Sequence, residues 1–266
     1  MMKSIVICPN CKQVLFKKNA KSFCCKNGHC FDIAKEGYVN LVLPNKKKSK
    51  SPGDDKEMVV SRANFLNSGF YVKLAKEVNK IVNSCLKSED IILDAGCGTG
   101  YYLEQIDGDY FKIGIDVSKE AIRYAAKHDK NIFYAVASIF DLPILNNSID
   151  CILNIFAPKP NDEFLRILKP NGVVVEVIPG KNHLIELKKV LYQEPHYNKE
   201  DVKEYNLKCE ETRQLKYKLT LNNEELMELF KMTPYNYKTT AQDVEKLKGI
   251  EEFVITCDFI IKVWRR

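Results

Sequence analysis

No apolar run among the 266 residues approaches the roughly 20 needed to cross a bilayer. The amino terminus, Met1-Met2-Lys3-Ser4-Ile5-Val6-Ile7, meets Cys8 before any signal-peptide core develops. The expectation is a cytoplasmic chain with no membrane partner. Glycine and proline are sparse, at 12 and 10 residues, which excludes a collagen-like chain. Apolar residues make up 45% and charged residues 29%, so wholesale disorder is excluded too. A chain this long buries enough core to fold without staples. Arginine is missing from the first 60 residues, which hold 12 lysines against five acids, a net +7; the remainder nets −1. A basic block confined to the first quarter is the footprint of a phosphate-binding surface.

Ten cysteines stand against those absences. With no secretory signal, a disulfide framework is not expected. Half of them crowd into residues 8–30. Cys8-Pro9-Asn10-Cys11 is a knuckle, and Cys25 and His29 follow it, giving Cys-x2-Cys-x13-Cys-x3-His. Four soft or borderline ligands at that spacing suit tetrahedral zinc, and metal binding would drive the folding of so small a module. A redox Cys-x-x-Cys would open a helix after a buried strand, and no such pattern precedes it. Cys24 and Cys30 flank the second pair, and either could replace its neighbour as a ligand. The run Lys46-Lys47-Lys48-Ser49-Lys50-Ser51-Pro52-Gly53 then reads as an exposed loop.

From Asp90 short apolar runs alternate with helical stretches. Strands are expected at 91–93, 111–115, 132–136, 149–155 and 173–177. Helices are expected at 100–106, 119–128 and 161–168. This succession gives an α/β fold, a Rossmann-like parallel sheet covered on both faces. Strand-like stretches at 211–221 and 252–264, with helices at 223–232 and 240–248, suit a closing antiparallel pair.

Gly96-x-Gly98-x-Gly100 lies between a strand and a helix, the context of a nucleotide-binding turn. Asp116 ends the next strand, placed to accept from ribose hydroxyls. A dinucleotide would set its pyrophosphate on the helix amino terminus. Asp94 at the turn repels a pyrophosphate but favours a sulfonium and an ammonium group, so S-adenosylmethionine is preferred over NAD.

Asp94-Ala95-Gly96-Cys97-Gly98-Thr99-Gly100 looks like motif I of class I methyltransferases. The zinc spacing, then Phe31-Asp32-Ile33-Ala34-Lys35-Glu36-Gly37-Tyr38-Val39-Asn40-Leu41, Pro52-Gly53-Asp54 and Phe65-Leu66-x-x-Gly69-x-Tyr71, resemble the RlmA family of 23S rRNA guanine-N1 methyltransferases. The resemblance runs from Cys8 to about Leu187. It implies a zinc-binding, RNA-recognising module over 1–50, a helical linker over 51–88 and an S-adenosylmethionine-dependent methyltransferase domain over 89–266. It implies methylation of a guanine in a domain II hairpin of 23S rRNA, and one branch of the family is linked to macrolide resistance. A homodimer is compatible with it.

The resemblance also assigns residues. Cys8, Cys11, Cys25 and His29 take the zinc-ligand places; Tyr71, Gly100, Tyr101 and His183 take cofactor places beside Asp94, Gly96, Gly98 and Asp116. Guanine N1 carries a proton that must leave. Candidate acceptors are the carbonyls around Phe156-Ala157-Pro158, after the fourth strand, and His183. Phe156 is a candidate to stack a turned-out guanine. Competing readings are a nicotinamide oxidoreductase, a methyltransferase for another RNA or a small molecule, and an inactive zinc-ribbon RNA-binding protein.

Overall fold

The computed structural model describes residues 5–44, 53–198 and 205–266. The lysines of the basic loop, Lys46, Lys47, Lys48 and Lys50, lie outside the described residues. The chain opens with a small antiparallel sheet of β1 (Phe16–Asn19), β2 (Ser22–Cys24) and β3 (Cys30–Asp32). Next come β4 (Val39–Asn40) and two helices, α1 (Lys56–Asn67) and α2 (Val72–Cys85). The side chain of Asp55 caps α1 by accepting from the Met58 amide. Leu74, Ala75, Val78, Ile81 and Val82 recur at helical spacing on the buried stripe of α2.

The alternating part follows as β5 (Ile91–Ala95), α3 (Tyr101–Glu104), β6 (Phe111–Asp116), α4 (Lys119–His128), β7 (Phe133–Val136), β8 (Ile149–Ile155), α5 (Asn161–Ile167) and β9 (Leu168–Pro179). The carboxyl-terminal part holds α6 (Ile185–Leu191), β10 (Lys208–Leu221), α7 (Asn223–Lys231), a 3-10 turn (Pro234–Tyr237), α8 (Ala241–Glu245) and β11 (Phe253–Arg265). The predicted helix at 100–106 is cut back at both ends: Gly100 takes a left-handed conformation at its start, and the helix ends at Glu104.

These strands form one sheet in the order β10-β11-β9-β8-β5-β6-β7-β4. β11 runs antiparallel to both of its neighbours, and the other pairings are parallel. β5 is wholly buried, as a central parallel strand must be. The chain runs outward from β5 in both directions, so the sheet has its switch point there. A doubly wound sheet binds ligands in the crevice at the carboxyl ends of its strands beside such a point.

The cysteine module is stitched to this sheet through main chain. β4 pairs with β7 through Val39–Ala135 and Asn40–Val136. The Ile7 amide donates to the Pro143 carbonyl at 2.8 Å, and the Leu145 amide to Ile5 at 2.9 Å. Val6, Leu15 and Phe23 share one core with β5, β6 and α5. Residues of α1, α2, α4 and α7 build the core on the other face.

Cys24 and Cys30 oppose each other across β2 and β3, with Cα atoms 4.1 Å apart, and are joined as a disulfide. One disulfide is therefore present where none was expected. It pairs the two cysteines that the sequence left as alternative metal ligands. Among the described residues no helix is long and apolar enough to cross a membrane.

Candidate functional site

The metal cluster is assembled by two tight turns. In the first, the Lys12 amide donates to the Cys8 carbonyl; in the second, the Gly28 amide donates to Cys25. The ligand atoms of Cys8, Cys11, Cys25 and His29 lie within 4.8 Å of one another. Cys11 and Cys25 sulfurs are 3.6 Å apart, and Cys25 Sγ stands 3.4 Å from His29 Nδ1. A tetrahedron with Zn–S bonds of about 2.3 Å has sulfur–sulfur edges of about 3.8 Å, so the cluster fits zinc. Asn10 Nδ2 lies 2.6 Å from His29 Nε2; ligation of a metal through Nδ1 leaves the ring proton on Nε2, which then donates to the Asn10 amide with its oxygen turned to the ring. Neither Cys24 nor Cys30 joins this group.

A cavity of about 1270 Å³ opens at the carboxyl ends of the parallel strands. Seven of the eight cofactor residues expected from the sequence line it, namely Tyr71, Asp94, Gly96, Gly98, Tyr101, Asp116 and His183; Gly100 does not, and packs instead toward Tyr134 and Ala125. The turn is held by Asp116, whose carboxylate accepts from the Gly98 amide at 2.9 Å and the Ser118 amide at 2.8 Å. Gly96 has φ +92°, and a Cβ there would sit 2.8 Å from the Ala157 Cβ. The glycine turn and the loop after β8 therefore touch.

Asp94 is 2% exposed and its Oδ2 has no protein partner. Burial, then the charge of Asp116, push its carboxyl up to about 8. The buried hydroxyls of Tyr71 and Tyr102 are also unpartnered. All three residues line one cavity, and the unpartnered carboxyl of Asp94 beside it fits a cationic ligand. A carboxylate of that sort is badly matched to a pyrophosphate.

The loop after β8 forms the other wall. Asn154 Nδ2 donates to the Pro158 carbonyl at 2.8 Å, and the Phe156 amide to Val177 at 3.0 Å. Lys159 pairs with the buried Glu176 at 2.6 Å. So anchored, Phe156 is held at φ +54°, a strained value for a side-chain-bearing residue, and is 44% exposed at the cavity. Its ring stacks on His183, with centroids 6.2 Å apart and planes at 18°. His183 is itself buried, and its Nδ1 accepts from the Asp258 amide. Burial holds its pKa down at about 3, so the ring is neutral.

Sequence reasoning missed several lining residues. Gly53, Asp54 and Arg62 close one end of the cavity, and Tyr102, Phe140 and the 232–235 segment add to its walls. Arg62, the first arginine of the chain, sits in no motif that marks it as a site residue. The 232–235 segment, Met-Thr-Pro-Tyr, carries no spacing that points to a ligand.

Comparison with known proteins accords with this geometry. Residues 6–50 match the family described as RlmA, N-terminal, and residues 86–248 match a methyltransferase domain family. YxjB of Bacillus subtilis, named for 23S rRNA guanine-N1 methyl transfer, is 30% identical over 98% of this chain and 96% of its own length. The 23S rRNA (guanine(748)-N(1))-methyltransferase of Streptomyces fradiae is 34% identical over 68% of this chain and 65% of its own. A methyltransferase structure from Anaeromyxobacter dehalogenans, at 15% identity, superposes with a TM-score of 0.51 over 71% of this chain and 95% of its own, which shows the fold. The chain belongs to the RlmA-type 23S rRNA (guanine-N1)-methyltransferases, a zinc ribbon built onto a class I methyltransferase sheet.

Proposed function

We propose that the chain transfers a methyl group from S-adenosylmethionine to N1 of a guanine in a hairpin of 23S rRNA, in the cytoplasm. The observation that carries this reading is the joining of the zinc ribbon to a cavity whose buried, unpartnered carboxylate suits a sulfonium cofactor. The cofactor supplies an already activated methyl group; the protein aligns the acceptor with it and excludes water.

Asp116 accepts from the ribose hydroxyls while keeping the glycine turn in place through Gly98. Asp94 faces the positive end of the cofactor. Phe156, propped by the left-handed backbone and the Lys159–Glu176 pair, offers its face to a guanine turned out of its helix. His183 meets the cavity as a neutral ring whose Nδ1 is occupied, which leaves Nε2 carrying its proton. It acts there as a hydrogen-bond donor, and the N1 proton leaves to water rather than to this ring. Residues 1–50 recognise RNA, 51–88 connect and cover the cofactor end, and 89–266 carry the chemistry.

The test is transfer of a tritiated methyl group to 23S rRNA, followed by mass mapping of the methylated nucleotide. Label on a guanine, lost with a Gly98→Val variant, is the expected result. Label on another base, or none with folded protein and cofactor bound, rejects the reading.

A further inference from the structure

The described residues lining the large cavity include four aspartates, Asp54, Asp94, Asp116 and Asp141, of which Asp141 is paired with Lys12 and Asp94 is ionised once a cation lies against it, and a single cationic side chain, Arg62. An acidic cavity suits the sulfonium and ammonium charges of the cofactor. It is hostile to the cofactor's third charged group, the α-carboxylate. That group must meet a cation or be left facing like charges.

Arg62 stands where the need arises. It projects from α1, and its Nη1 would be 3.5 Å from a Cβ built on Gly98. Two partners fix the guanidinium there: Nη1 donates to the Asp54 carboxylate, and Nη2 to the Met232 carbonyl at 3.1 Å. These use two of five N–H donors, so the side chain is oriented but not exhausted. The unspent guanidinium edge, on a side chain that lines the cavity, is a site for a carboxylate.

We infer that Arg62, oriented by Asp54 and Met232, binds the α-carboxylate of the methyl donor. This rests on the methyltransferase reading and adds to it the residue that reads the amino-acid end of the cofactor. Arg62 thereby also selects against donors that lack the carboxylate.

Isothermal titration of the full chain with S-adenosylmethionine and with its decarboxylated analogue tests the assignment. The analogue carries one more net positive charge, so an acidic cavity without a carboxylate site would prefer it. The wild-type chain is expected to prefer S-adenosylmethionine by roughly 10- to 100-fold, the range for a charged hydrogen-bonded contact. Arg62→Met should weaken S-adenosylmethionine by that factor and change the analogue by less than threefold; Arg62→Lys should restore part of the loss. A wild-type chain that binds the analogue as tightly as S-adenosylmethionine overturns the assignment without any variant. So does Arg62→Met with cofactor affinity kept but rRNA affinity lost, which would make Arg62 a phosphate contact. Failure of methyl transfer to rRNA by a chain that shows the expected titrations would count against the rRNA reading alone.

Discussion

At the scale of single residues, Asp94 carries the clearest consequence. With its carboxyl at about 8 in the ligand-free protein, it holds a proton at neutral pH that the unfolded chain, at the ordinary 3.8, has released. The folded state binds that proton more tightly, so this group's contribution to stability falls as pH rises from about 4 to about 8. A cation lodged against the carboxylate reverses the preference and expels the proton. Cofactor binding at pH 6.5 should therefore release up to one proton, and affinity should climb with pH toward 8. Titration in two buffers of different ionisation enthalpy measures the release. Asp94→Asn should abolish it, and a wild-type release of zero would contradict the placement of the cation. Asp94 was legible from its position before the glycines. Its orphaned oxygen was not, because burial and missing partners are properties of the packed cavity. Arg62 was illegible for a similar reason: one arginine on a helix acquires meaning only when the cavity around it proves to be acidic.

Among the elements, the alternation of strand and helix was plain because buried parallel strands are continuous apolar runs. β4 was not plain. Two residues, Val39 and Asn40, carry no period, and only the β7 edge defines them as a strand. The zinc turns lie between these cases. Ligand spacing named the four residues, yet the fate of Cys24 depended on strand register, which places it opposite Cys30. Purified protein should hold one zinc per chain. Cys11→Ser should lose it, with unfolding of the 5–33 segment seen by amide exchange, since metal binding and folding of so small a module are one event. Cys24→Ser removes only the disulfide and should keep the metal. Undiminished zinc in Cys11→Ser, measured by elemental analysis, would remove Cys11 from the ligand set.

For the whole molecule, charge is divided as chemistry is. The first 60 residues hold +7 and the rest −1. Lys17, Lys18, Lys21 and Lys26 are exposed around the zinc turns. The methyltransferase half, acidic within its cavity, has little to hold a polyanion. Replacing Lys46, Lys47, Lys48 and Lys50 by alanine should weaken binding of an rRNA fragment. The same change should flatten the dependence of affinity on log salt by about 0.7 to 0.9 for every phosphate that is no longer neutralised. Cofactor affinity should not change. Filter binding across a salt series decides it: an unaltered slope would leave these lysines no part in gripping phosphate.

The pairing of β4 with β7 also sets an order of events during synthesis. The cysteines and His29 emerge early and can close on their ion while the rest of the chain is still being made. Val39 and Asn40 leave at the same time, but their partners, Ala135 and Val136, follow about a hundred residues later. The Ile5–Ile7 segment waits longer still for Pro143 and Leu145. A metal-closed first module with an unsatisfied edge therefore exists for several seconds, at ordinary elongation rates, before the sheet arrives to receive it. The two-residue length of β4 suits that interval, because an exposed edge so short offers little template to a neighbouring nascent chain.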